Sequence, residues 1–360
     1  MGRVELRNLS KSFPPNIRAV ENVDLAIEEG EFVTLLGPSG CGKTTTLRLV
    51  AGFEEPTSGQ ILIDDQDVTD LPPYRRNTGM VFQSLALFPH MDVFDNIAYG
   101  MRIQKLLKAE MHEKVIELLN LVKLSGMERR KIHQLSGGQQ QRVAFARALA
   151  MNPSVFLLDE PFAALDKNLR EEMQVELRRL QKRIRITTIF VTHNQREAMS
   201  MSDRIVVMNQ GRIDQVGTPR EIYLYPATPF VANFIGTTNL IPATVQRVDH
   251  EAVHLMTPDG PIALAGTDLE VTEGKECLIS IRPESVRLSV ETDKGRENSF
   301  SGKVDFKRHV GELIEYYVHT RAGQEIIASY QTGRPEFFEG DTVRVILDGE
   351  AFRLLEKDAL

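Results

Sequence analysis

The chain has 360 residues, 42% of them hydrophobic, enough for two or three domains with cores of their own. With 43 basic against 50 acidic residues the net charge is -7, which argues against nucleic-acid binding by bulk electrostatics. Two cysteines, Cys41 and Cys277, fit free thiols in a reducing compartment; MGRVELRNLSKSF is too polar for a signal peptide, and no apolar run approaches the ~18 to 20 residues that span a bilayer.

In chain order, VELRNLSKSF and AVENVDLAIEEGEFVTLLG alternate or cluster apolar residues as short strands do, with EEGE as a turn. GPSGCGKTT follows, after the strand EFVTLL and before the helical run TTLRLVAG. This is the G-x-x-x-x-G-K-[ST] spacing in its strand–loop–helix setting. Gly37, Pro38, Ser39, Gly40, Cys41, Gly42, Lys43, Thr44 and Thr45 thus read as a phosphate cradle. The glycines let backbone N–H groups converge on phosphate oxygens, Lys43 adds positive charge, Thr44 is suited to ligating Mg2+, and the helix dipole favours the anion. ILIDDQDV is another strand, and GMVFQ ends in Gln83, whose amide suits a metal or a water.

From roughly Ile97 to Ala150 the pattern is helical, with Met111, Val115, Leu118, Leu119 and Val122 on one face. LSGGQQQRVAFARAL starts an amphipathic helix at Ser136, Gly137 and Gly138, whose bare N–H groups make a second anion site about a hundred residues after the first. VFLLDEP and TTIFVTH are short, continuously apolar strands of the kind buried on both faces of a parallel sheet, and the charged helix LREEMQVELRRLQKRI joins them. Asp159 and Glu160 fall at the end of the first, where ligands of open α/β sheets sit, and point to opposite sides. Asp159 suits Mg2+, Glu160 suits orienting and deprotonating an attacking water, and His193 brings an imidazole to the same edge, toward a γ-phosphate. Thr218-Pro219-Arg220-Glu221 is a helix start. From about Thr237 only β-type runs remain, among them ECLISIRPESVRL, LIEYYVHT and TVRVILD, which predicts an all-β second domain, a small barrel or sandwich. His250, His254, His309 and His319 read there as ordinary strand residues rather than metal ligands.

Together these pieces resemble the ATPase subunits of ABC transporters over residues 1 to about 235. GPSGCGKTT is similar to the Walker A motif, VFLLDE to Walker B, Gln83 to the Q-loop, Ala163 to Asp166 to the D-loop, and His193 to the switch histidine. LSGGQQQR is similar to the family signature, which other P-loop NTPases lack. The resemblance implies an α/β P-loop NTPase cassette over 1–236, with a RecA-like core, an antiparallel β subdomain and a helical subdomain at about 84–150. A C-terminal all-β, OB-like TOBE domain over 237–360 would follow. It implies ATP and Mg2+ as ligands, with Thr44, Gln83 and Asp159 at the metal and Glu160, His193, Gln83 and Lys43 at the chemistry. Phe13 stands where the family often stacks a Tyr on adenine, and serves either that or a core. Two cassettes would meet head to tail, so that Ser136, Gly137, Gly138 and Gln139, with Asp166, read the phosphate held by the other subunit's Gly37–Thr45 loop.

One uninterrupted cassette, with the tail YPATPFVANFIGTTNLIPATV and ISIRPESVRLS, resembles bacterial importers of the TOBE type. That group serves polyamines, ferric iron, maltose and other sugars, glycerol-3-phosphate, sulfate or phosphonates, and VFQSLALFPHMDVFDNIAYGMRIQK is most similar to the polyamine and iron branch. The partners implied are a second cassette in a homodimer, two transmembrane permease subunits and, indirectly, a periplasmic or extracellular solute-binding protein, with no nucleic acid. The place implied is the cytoplasmic face of the inner (plasma) membrane. Leu85, Leu87, Phe88 and Phe94 are expected to line a groove for a permease coupling helix. The competing class is a soluble, non-transport ABC ATPase whose β-domain binds nucleic acid; residues 237–360 lack the basic, aromatic-studded stripe it needs. Whether the β-domain scaffolds a dimer or senses a solute or regulator stays open.

Overall fold

The computed structural model describes residues 2–250, 252–264, 271–290, 298–333, 336–349 and 351–357. By its contacts the chain divides into two units between Pro219 and Arg220.

The first unit runs β1 (Val4–Phe13), β2 (Ile17–Ile27), β3 (Phe32–Leu36), α1 (Lys43–Ala51), β4 (Ser58–Ile63), β5 (Gln66–Asp67), β6 (Thr78–Val81), α2 (Val93–Ile103), α3 (Lys108–Leu121), α4 (Gly137–Leu149), β7 (Val155–Asp159), α5 (Lys167–Ile184), β8 (Thr187–Thr192), α6 (Gln195–Met201), β9 (Arg204–Asn209) and β10 (Arg212–Gly217). β2-β1-β4-β5 form an antiparallel sheet, and β10-β9-β3-β8-β7-β6 form a larger one. In the larger sheet β9, β3, β8, β7 and β6 are parallel, and β10 pairs antiparallel at the edge. Every residue of β3, β7 and β8 is buried, as their unbroken apolar runs require of strands covered on both faces. Strands that are parallel end on the same side, and that shared edge carries the site.

The helices of this unit are stopped and started by local chemistry. Asp92, Ser136, Asp166 and Asn194 each accept a backbone N–H at the start of α2, α4, α5 and α6. Met111, Val115, Leu118 and Leu119 of α3 are buried in one cluster with Ile97, Val143, Phe145 and Phe156, so the face read from the sequence is the face that packs. Among the described residues no helix is long and apolar enough to cross a membrane.

The second unit contains α7 (Pro219–Leu224), α8 (Pro229–Phe234), β11 (Asn239–Val248), β12 (Val253–Thr257), β13 (Gly260–Leu264), β14 (Glu276–Ile281), β15 (Val286–Val290), β16 (Ser299–Val310), β17 (Leu313–Thr320), β18 (Glu325–Gln331), β19 (Thr342–Leu347) and β20 (Arg353–Glu356). Two five-stranded antiparallel sheets, β13-β12-β11-β14-β20 and β15-β19-β16-β17-β18, share one core. The contact boundary precedes residue 237 because α7, α8 and the segment after them are tied to β14 by one side chain. Arg282 is buried and donates to the carbonyl oxygens of Tyr223, Ala232, Gly236 and Thr237. Its guanidinium also lies 4.3 Å from the centre of the Tyr223 ring. The Tyr223 hydroxyl donates to Glu284, and burial together with that carboxylate pushes the phenol up to about 12. Arg282→Met keeps the volume but leaves these carbonyls without their donor. It is expected to destabilise the second unit by about 3 kcal/mol, read as a shift in urea midpoint; a change below about 1 kcal/mol would contradict the assignment.

Candidate functional site

The Gly37–Thr45 loop leaves the end of β3 and closes on α1. Two glycines there are required by geometry. A Cβ on Gly37 would collide with the Met208 carbonyl oxygen and Cys41 Sγ, and Gly42, at φ 104°, caps α1 in the left-handed region with the Ala19 carbonyl against the missing Cβ. Lys43 is buried, and its ammonium donates to the carbonyl oxygens of Gly37 and Pro38 at 2.8 Å each. It is thereby held over the loop, ready for a better acceptor. Cys41 is buried beside it, and burial raises its thiol pKa, so the neutral thiol is the form present.

At the ends of the neighbouring strands stand the groups that face this loop. Thr44 Oγ1 donates to Asp159 Oδ1 at 3.1 Å, joining the first turn of α1 to the end of β7. Burial raises the Asp159 pKa, and the Thr44 bond opposes that rise. A hydroxyl and a carboxylate so paired are hard oxygen donors of the kind Mg2+ takes when phosphate oxygens complete its shell. Glu160 follows at φ 43°, a sparsely populated conformation for a residue with a Cβ, secured by its N–H donating to Val191 O at 3.0 Å. Its Oε2 is 3.2 Å from His193 Nδ1, with the Glu160 side chain 22% and the His193 side chain 61% exposed. One strand-end twist thus turns Asp159 toward α1 and Glu160 toward the histidine.

Gln83 is exposed just beyond β6. The loop after it is pinned from α4, because Arg147 donates to the carbonyl oxygens of Leu85 and Ala86 and lies over the Phe88 ring. Phe13 is half-buried at the end of β1, with Lys11 Nζ 4.8 Å above its ring. At the start of α4, Ser136 and Gln139 bond to each other: Ser136 Oγ accepts from Gln139 N at 3.4 Å and Gln139 Oε1 from Ser136 N at 3.0 Å. This capping box keeps the helix end in shape. Ser136 and Gly137 are exposed, while Gly138 is buried where a Cβ would lie 2.9 Å from Leu169 Cδ1. Asp166 caps α5 through Leu169 N at 3.1 Å. Among the described residues no hydrogen bond joins Ser136, Gly137, Gly138 or Gln139 to the Gly37–Thr45 loop, Asp159, Glu160 or His193. The structure therefore pairs Thr44 with Asp159 and Glu160 with His193 at neighbouring strand ends, holds Lys43 on the loop carbonyls, and leaves the second anion site outside these contacts.

Two residues of this neighbourhood escape sequence reasoning. Gln141, fully buried in α4, donates to the Pro161 carbonyl oxygen at 2.7 Å and so ties that helix to the segment directly after Glu160. Glu197 is buried behind His193; at the third position of a helix capped by Asn194 it looks like a capping acid and nothing more. The expected apolar groove also needs correction. Leu85, Leu87 and Phe94 are partly buried against the core of their own subdomain: the loop is bonded to Asn96 of α2 and Arg147 of α4, and Phe94 sits in the first turn of α2. Phe88 packs against Tyr99 with tilted rings, 4.6 Å between centres, and the exposed apolar side chains that follow in sequence are Tyr99, Ile103 and Leu107.

Comparison with known proteins adds the following. Residues 20–163 match the ABC transporter family and residues 279–355 the TOBE domain. The chain is 47% identical to the spermidine/putrescine import ATP-binding protein PotA of Acidothermus cellulolyticus, over 91% of its own length and 86% of that protein. It is 49% identical to the protein of the same name from Trichormus variabilis, over 90% of its length and 85% of that protein. Among solved structures it is similar to the ATP-binding cassette MJ0796, a dimer in a post-hydrolysis state with ADP and Pi, at TM-score 0.54 and 34% identity, covering 60% of this chain and 99% of that one. It is also similar to cbiO1 of Clostridium perfringens, part of the cbiONQ transporter complex, at TM-score 0.57 and 31% identity, covering 61% and 89%.

Proposed function

The chain belongs to the ABC transporter family, as one of its ATP-binding subunits, and on that premise we propose that it hydrolyses ATP to ADP and phosphate to drive import of spermidine or putrescine through a separate permease. The observation that carries the ATPase reading is the convergence of Lys43, Thr44, Asp159, Glu160 and His193 at the shared ends of β3, β7 and β8. The solute class rests on likeness to polyamine-import subunits over nine-tenths of the chain.

The loop N–H groups and Lys43 bind the phosphates, with Lys43 exchanging the Gly37 and Pro38 carbonyls for phosphate oxygen. Thr44, Asp159 and Gln83 hold Mg2+, which when bound neutralises charge on the phosphate oxygens. Glu160 accepts a proton from the attacking water, and His193, bonded to that carboxylate, fixes its direction and reaches the γ-phosphate. Phe13 takes the adenine face. Ser136, Gly137, Gly138, Gln139 and Asp166 serve the site of a second copy, so the working unit is a homodimer of head-to-tail cassettes joined to two permease subunits. A solute-binding protein delivers the polyamine from outside, and this subunit lies on the cytoplasmic face of the membrane. A domain boundary near residue 236 separates cassette from TOBE domain in this reading.

Uptake of radiolabelled spermidine and putrescine in cells depleted of the native chain tests the proposal. Wild-type chain should restore it and Lys43→Ala should leave it at background. Loss of iron or sugar uptake with polyamine uptake intact would sink the solute assignment and keep the ATPase.

A further inference from the structure

Among the described residues only two acids are buried, Asp159 at 7% exposure and Glu197 at 5%, and the mechanism above uses the first alone. A buried carboxylate is costly unless it is paired and hydrogen bonded, so its partners show what it is for. Capping α6 is not the answer, because Asn194 Oδ1 already accepts from the N–H groups of Arg196 and Glu197. Instead Glu197 Oε2 accepts from Thr192 Oγ1 at 2.5 Å, and Thr192 Oγ1 accepts from Asn194 N at 3.0 Å. Those two bonds hold the residues on both sides of His193.

The other carboxylate oxygen faces α5. Arg170 Nε lies 3.9 Å from Glu197 Oε1, and the same guanidinium donates through Nη2 to the Leu165 carbonyl oxygen at 2.7 Å. Leu165 directly precedes Asp166, the residue assigned above to the partner's site. A continuous set of contacts therefore runs from the Leu165–Asp166 segment through Arg170, Glu197 and Thr192 to His193 and on to Glu160. Its loosest member is the Arg170–Glu197 gap. Arg170 Nε is buried with no hydrogen-bond partner from the protein, and a shift of about 1 Å would turn the ion pair into a charge-assisted hydrogen bond.

We propose that Glu197 is a positioning residue for ATP hydrolysis: paired with Arg170, it ties the loop bearing His193 to the Leu165–Asp166 segment, so that displacement of that segment by a second copy changes the reach of His193 to Glu160. This rests on the ATPase reading above. Neither residue touches nucleotide, and both act through where they hold the histidine.

Phosphate release by the full chain tests it, with Lys43→Ala as the control for the underlying activity. Glu197→Gln keeps the size and an acceptor for Thr192 but removes the charge that faces Arg170. Its kcat should fall by about tenfold or more while KM for ATP stays within about twofold, the split expected of a contact that matters only once substrate is bound. Arg170→Met should do the same, and the double variant should be no slower than the slower single one within about twofold. A Glu197→Gln enzyme with normal kcat, a KM rising in step with the loss, or single effects that multiply in the double variant would each overturn the proposal. Thermal midpoints and nucleotide binding report folding; should Glu197→Gln not fold, Arg170→Met decides by the same kcat and KM criteria. Turnover that survives Lys43→Ala would overturn the ATPase reading and this proposal with it, an outcome that the Lys43→Ala control alone reveals.

Discussion

Glu160→Gln is expected to lower the rate of ATP hydrolysis by about a hundredfold to ten-thousandfold, the range that loss of a general base commonly costs, while leaving ATP affinity unchanged. The substitution is nearly isosteric and keeps an oxygen for His193 Nδ1, now 3.2 Å from Glu160 Oε2. The backbone at φ 43° is held by the bond to Val191 O, which does not depend on the side chain. Folding and the phosphate loop should therefore be untouched, and only the capacity to accept a proton is removed. A site that binds ATP without hydrolysing it also fails to empty, so the variant should accumulate as an ATP-dependent dimer on size exclusion. A variant that turned over at the parent rate would show that another group takes the proton.

The parts of this site legible in the sequence are those where a local pattern has one physical solution. A G-x-x-x-x-G-K-T run between an apolar strand and a helix leaves little choice but a loop whose N–H groups converge, and the contacts of Gly37 and Gly42 show why nothing larger fits. Short apolar runs such as the VFLL of β7 predict strands covered on both faces, and β7 is buried throughout. What a local pattern does not carry is whether an apolar loop residue packs inward or faces solvent. SLALFPHMDVF looks the same in either case, and Leu85 and Leu87 of the loop, with Phe94 in the first turn of α2, pack in part against a core that also takes side chains from α2 and α4. Glu197 is hidden for a related reason. Its partners Thr192 and Arg170 come from β8 and α5, and no spacing within α6 announces them. The S-x-x-Q of Ser136 and Gln139, by contrast, is a capping-box pattern visible in the sequence itself, and the structure closes it.

Mixing Lys43→Ala with Ser136→Arg chains is expected to restore ATP hydrolysis that neither variant shows alone. Ser136 and Gly137 are exposed, and among the described residues the α4 N-terminus makes no hydrogen bond to its own chain's phosphate loop. An arginine at position 136 costs a helix cap, about 1 kcal/mol, so the chain should fold, while its bulk blocks the approach of another copy's nucleotide. If the signature serves the opposite subunit, a mixed dimer has one site with both lesions and one with neither. Random pairing makes half the dimers mixed, each with one working site of two, so activity should recover to about a quarter of wild type when sites turn over independently. The recovery should follow dimer concentration and vanish when the Ser136→Arg chain, which supplies the phosphate loop of the intact site, also carries Glu160→Gln, whereas Glu160→Gln on the Lys43→Ala chain should change nothing. If the signature served its own chain's nucleotide, every dimer would carry a lesion in each site, and mixing would restore nothing even with mixed dimers demonstrated. The two arrangements use the same residues and the same fold, so only the pairing of lesions separates them.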